Sequence, residues 1–309
     1  MTVDSLSDPA VDLSRFVERI ALFSNVAPRL ITRLGGLTNL NYLLEHDSSR
    51  YVLRVPGAGT SEYIDRAIEA LAAQSAARAG VNAEVVFFAE SDGLMLTRYI
   101  DGATTMSAAH FSDLDAVARA GRAFRRLHGA AEPFATDFGL FTMIDEYKTL
   151  LSAKGATLPE GYNDVQRLAD RVRIALEAHP VPLVPCHCDP LCENFLDTGQ
   201  QMFIIDYEYS GNNDPMWDLG DLSVEGGFSP AQDLALLRAY FDGEPPRADL
   251  ARMVIHKALC DLLWTLWGVI QHVNGNTAED FWLYATTRFE RCKNLMASPE
   301  FAGHVAAIG

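Results

Sequence analysis

The sequence predicts an α+β fold of two lobes: a small antiparallel sheet with one helix, then a mainly helical lobe. Three observations predict it. Short strand-like runs separated by turn residues fill the chain to about residue 100. Past Gly102 the apolar spacing turns helical and stays so for most of the remaining chain. Two further strand-like runs, 182–186 and 202–206, interrupt those helices and flank the stretch richest in chemistry.

The elements come in this order. Asp8-Pro9 reads as a helix start, a cap with proline at the first helical position, and Leu13, Phe16, Val17 and Ile20 succeed it at helical spacing. Runs at 29–34, 39–45 and 51–55 read as strands, with Asp47-Ser48-Ser49 turning between the last two. A helix is expected over about 61–79, ended by Gly80. Strands at 84–89 and 94–100 flank Ser91-Asp92-Gly93. Ser112 with Asp115 opens a helix running to His128, and two more helices are expected between 143 and 179. No internal repeat or low-complexity linker is present. The division is into lobes 1–100 and 101–309, with a hinge near 97–103 and a cleft between the lobes where a nucleotide would lie.

At 309 residues and 49% hydrophobic content the chain has ample material for a core and is not of disordered composition. Its net charge of −16, with no basic block, excludes nucleic acid as a partner. An acidic field favours small cations, so a nucleotide needs local compensation by a cationic side chain or Mg²⁺. Residues 1–12 lack a basic-then-apolar signal pattern, and the longest apolar run, 259–270, carries Asp261 and is too short to span a bilayer. A cytoplasmic monomer or homodimer with no membrane insertion is expected. The five cysteines, three of them within 186–192, do not form a secreted disulfide framework.

The most informative stretch is Cys186-His187-Cys188-Asp189-Pro190-Leu191-Cys192-Glu193-Asn194, followed by Ile204-Ile205-Asp206. Phosphoryl transfer from a nucleotide needs a carboxylate to take or orient the attacking hydroxyl's proton. It also needs an amide oxygen and a second carboxylate to hold Mg²⁺ against the phosphates. Asp189, Asn194 and Asp206 have the types and order for those tasks. His187 joins the catalytic set as the anchor of its loop. Glu208 reads equally as a further acidic neighbour of the metal or as a solvated group. Cys188 stands where protein kinases usually carry arginine, which points to small-molecule kinases. A zinc site from Cys186, His187, Cys188 and Cys192 is disfavoured, because side chains alternate along a strand and paired zinc cysteines are usually spaced wider. No Gly-x-x-x-x-Gly-Lys-Ser/Thr motif is present, so a P-loop enzyme is disfavoured.

The chain resembles the choline/ethanolamine kinases, within the aminoglycoside-phosphotransferase-like group and its protein-kinase-like fold. The resemblance covers roughly 34–295. It rests on the stretch above and on Gly35-Gly36-Leu37-Thr38-Asn39, Val52-Leu53-Arg54-Val55-Pro56-Gly57, Ile64-Asp65-Arg66 with Glu69, Ile205-Asp206-Tyr207-Glu208-Tyr209-Ser210-Gly211, Asp218-Leu219-Gly220 and Trp264-Thr265-Leu266-Trp267. It implies an ATP- and Mg²⁺-dependent kinase acting on the hydroxyl of a small amino alcohol, choline first. Ethanolamine or an aminoglycoside is the alternative acceptor, and a catalytically silent binding protein the alternative class. It implies that Gly35, Gly36, Thr38 and Asn39 lie over the phosphates, that Arg54 contacts them, and that Glu69 pairs with Arg54. It implies that Asp218 braces the catalytic loop. Trp264, Trp267 and Tyr284 would line the cation pocket, with Glu225 as its carboxylate and Phe228 as a further wall. By spacing alone, Trp264 and Trp267 share one helix face and read as core. As an aromatic wall they would hold a quaternary ammonium through the ring quadrupole.

Overall fold

Five strands pair into one antiparallel sheet, whose central three strands carry the buried apolar residues of a common core. They are β1 (Arg29–Leu34), β2 (Leu40–His46), β3 (Ser49–Val55), β4 (Val85–Ala89) and β5 (Leu94–Arg98), in the order β1-β2-β3-β5-β4. This is a computed structural model, and it describes residues 13–35, 39–57 and 64–309. The predicted Asp8-Pro9 helix start lies outside those residues. The described chain opens with a single helical turn, α1 (Ser14–Val17), and a 3-10 turn at Ala21–Phe23.

Tyr42 and Leu44 on β2, Tyr51, Leu53 and Val55 on β3, and Leu94 and Leu96 on β5 form one buried cluster with Ile20 and Phe23. The β2–β3 connection is a two-residue loop in which Asp47 and Ser48 both take positive φ, 48° and 60°. That is the hairpin geometry whose twist matches paired strands. The chain divides into two units, Met1–Ala70 with Glu84–Tyr99, and Leu71–Ala83 with Ile100–Gly309. The crossing at 70/71 falls inside α2 (Arg66–Arg78). This helix begins at Arg66 because the Asp65 carboxylate accepts from the N–H groups of Ala67 and Ile68, at 3.0 and 3.2 Å.

The second unit is mainly helical. Its helices are α3 (Leu114–Ala130), α4 (Leu140–Ala153), α5 (Tyr162–Ala178), α6 (Pro215–Glu225), α7 (Pro230–Phe241), α8 (Arg247–Val273), α9 (Phe281–Met296) and α10 (Pro299–Ala307). The cap of α3 is Asp113, one residue past the predicted Ser112, because its carboxylate accepts from Asp115 N–H at 3.0 Å. Ser112 instead donates its hydroxyl to Ala109 O. Two small ribbons carry the chemistry: β7 (Val184–Cys186) pairs with β10 (Gly211–Asn213), and β6 (Thr104–Thr105), β8 (Phe195–Asp197) and β9 (Met202–Ile204) form a three-stranded sheet.

The 27-residue α8 is longer than the 259–270 run suggests, and by length and composition alone it passes for a membrane span. Most of it is buried because it runs through the unit, with Ile255, Leu259, Leu262, Leu263, Leu266 and Val269 in the core. At its crossing with α6, a Cβ on Gly220 would come within 2.8 Å of Met253 O. Only glycine permits that approach, and it brings Asp221 against α8.

Candidate active site

The catalytic loop runs from β7 to a 3-10 turn at Cys192–Asn194. Its backbone is strained and then secured. Cys188 takes φ 67°, the left-handed region that suits glycine. Asp218, fully buried on α6, accepts from His187 N–H at 2.7 Å and Cys188 N–H at 2.8 Å. His128 Nε2 lies 3.0 Å from the same carboxylate, and its Nδ1 lies 3.0 Å from the Tyr240 hydroxyl. Trp217 Nε1 donates to Cys188 O at 3.1 Å, and Ser210 donates to His187 O at 3.2 Å. Charge-assisted bonds to two successive N–H groups are what hold an unfavourable loop conformation. In this fold Asp218 braces the loop.

His187 is an anchor. Its ring is buried and its Nε2 donates to Ile205 O at 2.8 Å, which fixes the proton on Nε2. Burial lowers its pKa, so the neutral imidazole is favoured. Ile205 N–H in turn donates to Asn194 O at 2.9 Å, so the loop and the end of β9 are tied twice. The thiols of Cys186 and Cys188 are buried and burial pushes both well up, so they sit as neutral thiols. Cys188 Sγ faces Gly211 O rather than a ligand set.

These ties present Asp189, Asn194 and Asp206. Asn194 Nδ2 donates to Asp189 O at 3.1 Å, so its Oδ1 is the end able to coordinate a cation. Asp206 takes φ 70°, a second non-glycine residue in the left-handed region. The carboxyl of Asp189 is pushed up to about 8 by burial first, then by Glu225 and Asp206, with Arg288 opposing. A proton acceptor poised near neutral pH suits general base work.

Aromatic and acidic side chains gather on α6, α8 and α9. The indoles of Trp264 and Trp267 meet edge-on at 6.4 Å, and Trp267 lies 5.6 Å from Tyr284 and 5.5 Å from Phe281. Tyr209 meets Trp264 edge-on at 5.6 Å, a wall not expected from the sequence. Trp264 is buried and Trp267 half-buried. Phe228 is not a wall of this group; it packs on Phe111, with ring centroids 5.4 Å apart.

Glu225, predicted as the pocket carboxylate, forms an ion pair with the buried guanidinium of Arg288. Arg288 also lies over the Tyr284 ring at 4.5 Å and reaches Asp261 at 3.3 Å. Neither Arg288 nor Asp221 was expected from the sequence. The Tyr284–Arg288 spacing of one helical turn was the only local signal for Arg288, and Asp221 had none.

In the first unit, Arg54 on β3 forms an ion pair with Glu69 on α2, and Arg66 Nη1 reaches the other Glu69 oxygen at 2.6 Å. All three side chains are buried. Arg54 also donates to Gly93 O at 3.3 Å. Gly93 takes φ 77°, and a Cβ there would come within 2.6 Å of Arg66 Nε. The β4–β5 turn is therefore glycine to admit that guanidinium. Of the residues predicted to cover the phosphates, Gly36 and Thr38 lie outside the described residues. Gly35 O accepts from Asn41, and Asn39 Oδ1 accepts from Gly57 N–H at 3.4 Å.

Comparison with known proteins matches this architecture. The phosphotransferase enzyme family matches residues 30–253. Protein LicA of Haemophilus influenzae is 30% identical over 273 residues, covering 85% of this chain and 78% of that protein. The crystal structure of a choline/ethanolamine kinase family protein from Mesorhizobium loti is 54% identical, with a TM-score of 0.87 over 95% of this chain and 97% of that one. The choline kinase LicA from Streptococcus pneumoniae is 26% identical, with a TM-score of 0.77 over 93% and 99% of the two chains. The braced catalytic loop, the aromatic group beside it and these matches agree: the chain belongs to the phosphotransferase enzyme family and, within it, to the choline/ethanolamine kinases.

Proposed function

We propose that this phosphotransferase moves the γ-phosphoryl group of ATP to the hydroxyl of choline. The observation that carries the reading is electrostatic. In the second unit the Asp189 carboxyl feels Glu225 and Arg288, an acid–base pair whose guanidinium lies over the Tyr284 ring, and Tyr284 in turn feels Asp189. A proton acceptor and an aromatic cation wall within reach of each other suit an alcohol that carries a quaternary ammonium.

In that reading Asp189 accepts the proton of the choline hydroxyl as its oxygen attacks phosphorus in line. Asp218, Trp217 and Asn194 keep the Asp189 backbone from moving during the step. Arg54, set by Glu69 and Arg66, supplies positive charge for the nucleotide phosphates. The donor set of Asn194 and Asp206, an amide oxygen and a carboxylate, fits Mg²⁺, which takes hard oxygen ligands and keeps waters. When bound there it would offset phosphate charge. Support for a nucleotide comes from a related LicA solved in complex with AMP.

The test is ADP release measured with choline, ethanolamine and kanamycin, each with and without Mg²⁺. Choline with Mg²⁺ should give the highest kcat/KM. Stimulation by kanamycin alone would move the chain to the antibiotic kinases, and binding of choline with no turnover would make it a silent scaffold.

A further inference from the structure

The acids around the aromatic wall are not equivalent, and a charge count separates them. Glu225 is paired with Arg288. Asp261 holds Arg291 through two bonds, at 2.6 and 2.5 Å, and meets Arg288 as well. Asp189 is the proposed base. Asp221 is left, and its hydrogen-bond donors are both neutral: Cys260 Sγ at 2.7 Å and the indole Nε1 of Trp264 at 3.5 Å. It is only 1% exposed, on α6 at the close crossing that Gly220 permits.

Arg288, the cation whose charge reaches Asp221, is already paired with Glu225. A buried carboxylate whose hydrogen bonds come from neutral groups is costly. Here it sits at the N–H edge of the indole proposed to carry the cation. Donation from that N–H to an anion draws electron density onto the ring face, and the bond fixes the indole's rotation. Both effects strengthen the ring's hold on an ammonium group.

We infer that Asp221 is a positioning residue for the acceptor: it orients Trp264 and supplies, through that indole, the countercharge for a quaternary ammonium alcohol. This rests on the choline kinase reading above. Asp221 does not need to touch the substrate. The groups facing it are Cys260 and Trp264 from α8, Glu225 from α6, Arg288 from α9 and Asp189 from the loop. Burial, with Glu225 and Asp189 next, pushes its carboxyl well above the usual carboxylate range, with Cys260 and Arg288 opposing. An ammonium group arriving on the ring favours the ionised form and offsets that push. A primary ammonium, which binds through hydrogen bonds more than through ring faces, depends on Asp221 less.

The experiment compares wild type, Asp221→Asn and Asp221→Ala in the full chain by steady-state kinetics with choline and ethanolamine, and by thermal unfolding at pH 8. Both variants should raise the choline KM on the order of tenfold, with kcat within about twofold and a smaller rise for ethanolamine. The sign for stability is opposite. An acid whose folded pKa is raised loses stability as pH rises above its unfolded pKa, and Asn carries no such cost. Asp221→Asn should therefore unfold at an equal or higher temperature than wild type. In a Trp264→Phe background, which lacks the N–H donor, Asp221→Asn should add no further rise in choline KM. A lower Tm with unchanged choline KM would make Asp221 a packing residue and overturn the inference. So would a full additional KM rise in the Trp264→Phe background. Failure of wild type to turn over choline would instead remove the choline reading itself, whatever the variants do.

Discussion

Replacing Asp218 by Asn tests whether the catalytic loop is held as described. The carboxylate accepts three bonds, from His187 N–H, Cys188 N–H and His128 Nε2, at 2.7, 2.8 and 3.0 Å. An amide keeps one acceptor oxygen and turns a donor toward the other side. If that oxygen keeps His187 N–H and His128, Cys188 N–H faces another N–H in a site with no water access. Leaving that group unsatisfied costs about 1–3 kcal/mol, and losing the charge weakens each remaining bond by about 1 kcal/mol. The total is about 3–5 kcal/mol, set against a left-handed Cys188 that already costs about 1–3 kcal/mol. A thermal melt should show Asp218→Asn falling by roughly 10 °C, since each kcal/mol is worth about 2–4 °C in a unit of this size. Amide exchange at His187 and Cys188 should accelerate, and kcat should fall at temperatures where the protein is still folded. A variant with wild-type Tm, protected Cys188 amide and kcat within about twofold would show that the loop holds its shape without this carboxylate.

Four further outcomes are expected. Asp189→Ala should lower kcat by about two to four orders of magnitude, the range of general base catalysis, while fluorescent nucleotide titration shows binding within a few-fold of wild type. Trp264→Ala should raise the choline KM by roughly five- to thirtyfold, the equivalent of about 1–2 kcal/mol of cation–ring attraction; an unchanged KM would remove the aromatic wall. Arg66→Ala should raise the ATP KM without raising the choline KM, with Arg66→Lys intermediate, because Arg66 holds one Glu69 oxygen while Arg54 holds the other. Asp214, the cap of α6, is opposed by burial but held below the usual range by His256 and Arg252. A depressed pKa gives stability that is full above the unfolded value near 4 and lost as pH falls below it. Urea midpoints from pH 7 to pH 3 should thus fall more steeply in wild type than in Asp214→Asn.

The sequence was most legible where chemistry depends on local spacing. Asp189, Asn194 and Asp206 were singled out by their order and separation, and the structure brings Asn194 onto Asp189 O and Asp206 within the electrostatic reach of Asp189. The strands of the first unit were legible from alternation and turn residues. Arg54 and Glu69 are brought together as the resemblance implied. Hidden features depend on helices packing at a distance. Arg288 and Asp221 gain meaning only where α6, α8 and α9 converge, and nothing in the sequence near Asp221 signals that its nearest donors are 39 and 43 residues away. The α3 cap was misplaced by one residue because Ser112 and Asp113 both suit a cap, and only the backbone decides which side chain meets Asp115 N–H. Arg66 stood in a quoted motif without a role, since its use depends on the φ of Gly93.

Glu69 gripped from both sides has a bearing on control. Where one cation alone holds such a helix, its withdrawal can switch the enzyme off. Here Arg54 and Arg66 each hold a different Glu69 oxygen, so loss of either guanidinium leaves one ion pair in place. A switch that worked by withdrawing a cation from that helix would have to break both contacts.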